Sequence, residues 1–266
     1  MTDGSRLTPE ISWRHGTPSP AERLLAEETA IAITYNDLPY AVMMASPLDL
    51  DDFVTGFTLS EGLALNLGEI TSCARIEHGQ GIEMRMVLAR PALDRVLARR
   101  RRVAGYTGCG VCGLESLEQA MRPLPRVGAG RQIPAEALRA AFAGLEAGQR
   151  LNRATRAVHA AAFWSAESGL GAVREDVGRH NALDKLAGAL ARAGQHPGQG
   201  AILLTSRISI ELVQKSAICG ATLLAAISAP TALAVRAAEE AGITLAAIVR
   251  DDGFEVFSHP WRIGAG

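Results

Sequence analysis

The chain has 266 residues, a formal net charge of −1 and 48% apolar residues. That is material for one large or two ordinary globular domains with a full core, and the near-neutral balance gives no general drive toward nucleic acid or a membrane surface. No apolar run approaches the ~20 residues of a spanning helix, and polar, proline-bearing residues 1–20 lack a hydrophobic signal core. Residues 1–20 are therefore expected to be a disordered lead-in, and the four cysteines to be thiols in the reducing cytoplasm.

Residues 30–35 and 40–44 alternate as strands around a tight Asn36-Asp37 turn. Ser46-Pro47-Leu48-Asp49 opens a helix with acidic residues in its first turn, followed by Phe53, Phe57, Leu63 and Leu65 at near-helical spacing. Residues 70–76 and 82–88 predict a second hairpin around His78-Gly79-Gln80-Gly81, and Pro91 begins a helix that runs through Arg99, Arg100, Arg101 and Arg102. Residues 21–105 thus predict a small α+β domain. Residues 106–133, rich in Gly and Pro with weak periodicity, predict a mobile loop or linker. Beyond Pro134 the pattern becomes helices at 134–147 and 152–158, then strands at 160–165 and 171–174. A helix at 181–193, a strand at 201–205, a helix at 210–219, a strand at 223–227, a helix at 231–241 and a strand at 245–249 follow. This alternation predicts an α/β layered domain over 134–266 with a largely parallel sheet.

The stretch with most chemistry is Cys109-Gly110-Val111-Cys112-Gly113. Two thiols three apart can share a task, one carrying or attacking and the other resolving, and nearby arginines would raise the thiolate fraction. A structural zinc site would need a second such pair, and Cys73 and Cys219 do not supply one. A structural disulfide is disfavoured by the expected compartment, and a thioredoxin-like motif by the absence of a preceding strand. Gly108, Gly110 and Gly113 match a dinucleotide fingerprint, but no strand leads into them.

In open α/β sheets ligands gather at the carboxyl ends of strands. Three polar junctions are candidates: Glu175–Asn181 with Arg179 and His180, Thr205–Ser209 with Ser206 and Arg207, and Ser228–Thr231. Helix N-termini there favour phosphate oxygens, and Arg179, Arg207 and Arg250 can add charge-assisted bonds. They predict a pocket for a phosphorylated, dinucleotide-like ligand; ordinary capping is the plainer reading of any one junction. His180 and Asp184, at i and i+4, fit an acid–base pair or a helix-stabilising ion pair. His159 reads as a structural histidine.

Several motifs in order resemble the FdhD/NarQ family. They are Ala26-Glu27-Glu28-Thr29, Met43 to Phe53, Gly56 to Gly62, the Cys109–Cys112 pair and Val158-His159-Ala160-Ala161. Glu175 to Lys185, Ser206 to Lys215 and Ser228 to Thr231 complete the set. The resemblance implies a sulfurtransferase that takes persulfide sulfur from a cysteine desulfurase. It passes the sulfur to the molybdenum bis(molybdopterin guanine dinucleotide) cofactor, bound as a substrate, before insertion into formate dehydrogenase. It implies that Cys109 carries the persulfide, that Ile248, Val249, Arg250, Asp251, Asp252 and Gly253 bind the cofactor, and that the protein is a homodimer holding no metal of its own. The implied fold is a cytidine-deaminase-like α/β domain with a smaller N-terminal α+β domain. This chain departs from the family pattern at Ala247-Ile248 and at Asp251-Asp252. Two rivals are a zinc deaminase, which needs a His-x-Glu that this chain lacks, and a non-enzymatic cofactor chaperone.

Overall fold

A computed structural model describes residues 4–104 and 123–264. The chain opens with a long antiparallel hairpin, β1 (Ser5–Arg14) and β2 (Thr17–Ala26), paired in register from Ser5–Ala26 to Arg14–Thr17. His15 and Gly16, both at positive φ (52° and 79°), form the two-residue turn whose twist matches the strands. The disordered lead-in expected over residues 1–20 is thereby corrected for residues 5–20: proline disfavours a central strand, yet Pro9, Pro18 and Pro20 sit within this two-stranded ladder.

The N-terminal sheet has the order β4-β3-β6-β5, from β3 (Thr29–Tyr35), β4 (Leu38–Ala45), β5 (Ile70–His78) and β6 (Gly81–Leu88). Each predicted hairpin forms, and a parallel β3–β6 pairing joins them. Helices α1 (Leu50–Ser60) and α2 (Arg90–Ala104) belong to the same unit. Ile31, Ile33, Tyr35, Met84 and Met86 alternate inward to meet Phe53, Val54, Phe57 and Val96.

The C-terminal unit starts with β7 (Ile133–Pro134), α3 (Ala135–Gly148) and α4 (Arg150–Thr155). Then come β8 (His159–Ser165), β9 (Gly169–Asp176), α5 (Arg179–Arg192), β10 (Gly200–Leu204), α6 (Ile210–Ile218), β11 (Leu223–Ala226) and α7 (Ala232–Ala241). It ends with β12 (Thr244–Arg250), β13 (Gly253–Ser258) and β14 (Ile263–Gly264). The main sheet runs β13-β12-β11-β10-β8-β9. Only β10, β11 and β12 are mutually parallel; β8, β9 and β13 join antiparallel, which corrects the largely parallel expectation. The links Ala166–Ser168 and Asp251-Asp252 are too short for a crossover, so each forces a hairpin. Alternate strand residues face two layers. Phe163, Ile202, Leu204, Leu224 and Leu245 pack with α5, α6 and α7, while Ala162, Leu203, Leu223 and Ala246 pack with α3.

The two units meet where α1 crosses α5. A Cβ on Gly56 would lie 1.7 Å from the Asp184 carbonyl oxygen, and one on Gly188 1.9 Å from that of Asp52, so glycine is required for this backbone approach. Charge surrounds the crossing. Fully buried Lys185 pairs with fully buried Asp176 at 2.7 Å and donates to the Ser46 and Glu175 carbonyls at 2.9 and 3.2 Å. Asp52 takes Arg174 and Arg192, each at 2.7 Å. The Met43–Phe53, Gly56–Gly62 and Glu175–Lys185 motifs therefore meet at this junction.

Candidate functional site

The parallel strands β10, β11 and β12 end on one edge of the sheet, and a cavity of about 930 Å³ opens there. Thr205, Ile227, Val249, Arg250, Asp251 and Asp252 line its sheet side. Arg139 and Phe142 of α3, Asn152 and Arg153 of α4, and Gln149 and Arg156 beside α4 line the other. Four arginines and four carboxylates, Glu136, Glu146, Asp251 and Asp252, thus face a space of the size that holds small ligands, ~300–1,000 Å³, and Arg139 Nη2 donates to Glu136 at 3.4 Å.

Local structure explains how each arrives. Glu175 accepts the Leu151 and Asn152 backbone N–H groups, each at 2.8 Å, so a carboxylate caps the first turn of α4 and fixes Arg153. Arg156 ends that helix in the left-handed region at φ 58°. Arg153 Nη1 donates to the Ala147 carbonyl at 2.5 Å, and the Arg139 Nε is buried without a hydrogen-bond partner. In β12 the register shifts between Ala247 and Arg250, and Ile248 has φ 56°, a strained value for a β-branched residue. The bulge sends Ala247 and Ile248 to the α5–α7 layer and Val249 to the α3 layer. Arg250 then donates from Nη1 to the Ile227 and Val249 carbonyls, at 2.6 and 2.7 Å, which ties its guanidinium across the ends of β11 and β12.

Of the segment Ile248–Gly253, then, Val249, Arg250, Asp251 and Asp252 line the cavity; Ile248, half-buried, packs against the core and Gly253 opens β13. Arg179, His180, Ser206 and Arg207 do not line this cavity. Ser206 is turned inward and donates to the Arg207 carbonyl at 3.0 Å, while Arg207 is exposed. The sequence reading missed Arg139, Arg153 and Arg156, whose helices reach the strand ends only by folding. The i,i+3 pair Arg153–Arg156 was its one local signal.

His180 lines a smaller cavity of about 230 Å³ with Glu61, Arg99, Asp184, Glu211 and Lys215. Lys215 Nζ donates to Ser60 Oγ at 3.1 Å, to Glu61 Oε1 at 2.8 Å and to both Asp184 oxygens at 3.0 Å, and Ser60 Oγ donates to Asp184 at 2.6 Å. Burial alone would raise the Glu61 carboxyl, but Lys215 and Arg99 outweigh it and bring it down to about 2. Burial likewise opposes the Lys215 charge, yet Asp184 and Glu61 hold it above the usual lysine value. His180 is pushed down by burial and by Arg179, and faces Glu211 at 3.8 Å. Asp184 gives both oxygens to Lys215 and Ser60, so the i,i+4 spacing with His180 makes neither an acid–base pair nor an ion pair. His159 is half-buried and lowered by burial and Arg179.

Cys109 and Cys112 lie outside the described residues. Arg99, expected to lend charge to these thiols, is paired with Glu61 at 2.7 Å and donates to its carbonyl at 3.0 Å. Among the described residues no cluster of His, Cys, Asp and Glu is suited to a metal ion.

The model of the FdhD/NarQ family matches residues 26–264. A "sulfur carrier protein FdhD" of Agrobacterium fabrum is 50% identical over 259 residues, covering 97% of this chain and 96% of the relative. One of Cupriavidus necator is 47% identical over 251 residues, covering 94% and 87%. The crystal structure of a protein from Desulfotalea psychrophila, assigned as a formate dehydrogenase accessory protein, shares the fold with a TM-score of 0.78. It is 24% identical, and the match covers 98% of this chain and 99% of that one.

Proposed function

We propose that this chain, which belongs to the FdhD/NarQ family, is a sulfur carrier serving formate dehydrogenase. Its relatives are named for sulfur carriage, and the cavity at the strand ends is the observation that carries the reading further. Sulfur arrives as a persulfide on a cysteine desulfurase. The Cys109 thiolate attacks the terminal sulfur, a new S–S bond forms as the old one breaks, and the donor thiolate leaves, so the step needs no oxidant. Cys112 is the second thiol of the pair. The acceptor is the molybdenum bis(molybdopterin guanine dinucleotide) cofactor, a substrate rather than a resident group. Arg139, Arg153, Arg156 and Arg250 supply four guanidiniums for its phosphates, and the unpartnered Arg139 Nε is a donor in need of such an acceptor. The sheet-end placement is where such folds hold nucleotides.

Two measurements test this. After incubation with a cysteine desulfurase and cysteine, mass spectrometry is expected to show one added sulfur atom on the wild type and none on Cys109→Ala. Absence of the adduct from the wild type would leave only the chaperone reading. Calorimetry with GDP is expected to show Arg153→Ala weakened roughly tenfold to a hundredfold, the loss of about 1.5–3 kcal/mol in charge-assisted bonds. Arg207→Ala, exposed and off the cavity, is expected to bind like the wild type. The reverse pattern would place the nucleotide elsewhere.

A further inference from the structure

The smaller cavity, about 230 Å³, lies where the two units meet: Met43, Phe57 and Arg99 line it from one side, His180 of α5 and Glu211 of α6 from the other. That is several times the ~30 Å³ share of one water. Most of its charged groups are spent on one another. Asp184 and Glu61 hold Lys215, and Arg99 holds Glu61. His180 is different. Its Nε2 is buried without a hydrogen-bond partner, and Glu211 Oε2 stands at 3.8 Å, too far for a hydrogen bond. A buried polar atom left without a partner is rare and points to a role outside packing.

The surroundings set what that nitrogen can do. The charged groups about it are Arg179 and Asp184 on α5, Glu211 and Lys215 on α6, Glu61 at the end of α1 and Arg99 on α2. Burial and Arg179 hold the imidazole below its ordinary 6.5, so it is neutral at pH 7. With its own proton on Nδ1, the neutral ring offers Nε2 as an acceptor. Lys215 and Arg99 place two cations beside the space in which a new anion would form. Phe57 and the Met43 thioether give that space a soft, polarisable wall that suits sulfur.

We infer that this cavity is where a thiol gives up its proton during sulfur transfer, and that His180 Nε2 receives it. The inference rests on the sulfur-carrier reading. The S–H proton passes to the imidazole, leaving a thiolate that attacks the terminal sulfur of the donor persulfide. A new S–S bond forms as the donor's breaks, and the departing donor thiolate takes the proton back from the imidazolium, so no oxidant is needed. Chain length lets the carrier thiol come here. Arg99 stands about 7.5 Å of helix before Ala104, and the five residues from there to Cys109 span at most about 17 Å.

Sulfur uptake from glutathione persulfide, read by mass spectrometry on the peptide holding Cys109, tests the inference between pH 5 and pH 9. His180→Gln keeps a polar side chain but no base. The ratio of wild-type to variant rate cancels the donor's own ionisation. It is expected to reach about tenfold near pH 7, and to approach one at acid pH, where the imidazole is protonated, and near pH 9, where a thiol ionises unaided. A ratio that does not vary with pH marks a structural role and overturns the inference. His159→Gln, outside the cavity, is expected to keep the wild-type profile. A wild type that takes up no sulfur overturns the carrier reading and this inference with it. A second measurement needs no variant: alkylation of wild-type Cys109 by iodoacetamide, beside an NMR titration of the His180 ring. An acid limb in the alkylation rate at the His180 midpoint is expected; a single rise near the ~8.5 of a free thiol overturns the inference.

Discussion

Substituting Gly56 by alanine is the sharpest probe of how the two units are joined. The new Cβ falls 1.7 Å from the Asp184 carbonyl oxygen, 2.6 Å from the Gly188 nitrogen and 2.7 Å from the Asp184 carbonyl carbon, all backbone atoms that no rotamer change can move. Ordinary contact is about 3.5 Å, so α1 must back away from α5 by roughly 1.5 Å. That displacement carries Ser60 away from Asp184, now bonded at 2.6 Å, and Glu61 away from Lys215, now at 2.8 Å, both beyond hydrogen-bonding reach. Overpacking by itself costs about 1–3 kcal/mol, and breaking a buried ion pair about 3–5. A loss of at least about 4 kcal/mol is expected, a large part of a typical stability of ~5–15 kcal/mol. Urea unfolding of the wild type, Gly56→Ala and Gly79→Ala measures it. Gly79 has open space around it and serves as the control, with a change below about 0.5 kcal/mol expected. Gly188→Ala is expected to match Gly56→Ala, and the double variant to lose less than the sum, because one retreat of α1 relieves both clashes. A Gly56→Ala loss under about 1 kcal/mol, or full additivity, would refute the reasoning.

Lys185→Met leaves the Asp176 carboxylate buried without its cation and is expected to lower stability by about 3–5 kcal/mol; adding Asp176→Asn is expected to restore part of it, both read by urea unfolding. Glu61, held near 2 in the fold against an ordinary 4.5, contributes stability that is present above about 4.5 and lost as pH falls through about 2. The stability difference between wild type and Glu61→Gln is therefore expected to shrink between about pH 5 and pH 2; a flat difference over that range would remove the ion pair from the account. Arg250 spends Nη1 on the Ile227 and Val249 carbonyls and keeps Nη2 and Nε for a ligand, whereas a lysine has one nitrogen for both tasks, so Arg250→Lys is expected to lower GDP affinity several-fold in calorimetry while the urea midpoint holds.

The succession of elements was legible in the sequence because it rests on local patterns. Alternation in 30–35 and 40–44, the Asn36-Asp37 turn, and the helix–strand rhythm after Pro134 each depend on residues a few positions apart. Arg250, Asp251 and Asp252 were marked through a resemblance, and the structure places them on the wall of a cavity at the parallel strand ends. Leu7, Pro9, Ile11 and Trp13 carry the period of a strand, but the proline-bearing segment reads as a disordered lead-in, and only the pairing with β2 shows where those prolines fit. Other features depend on distant partners. Ser60 and Asp184 are 124 residues apart, Lys215 and Glu61 154, and Ser46 and Asp176 130. Sequence alone marked Gly56, Glu61, Asp184 and Lys185 as members of motifs. The tertiary structure decided that they build the junction of two units, because a glycine's close approach and a buried charge's partner exist only once α1 lies on α5. It likewise separated Arg207 and His180 from Arg250, and brought Arg139, Arg153 and Arg156 to it, because strand order and helix placement set which chain segments share one end of a sheet.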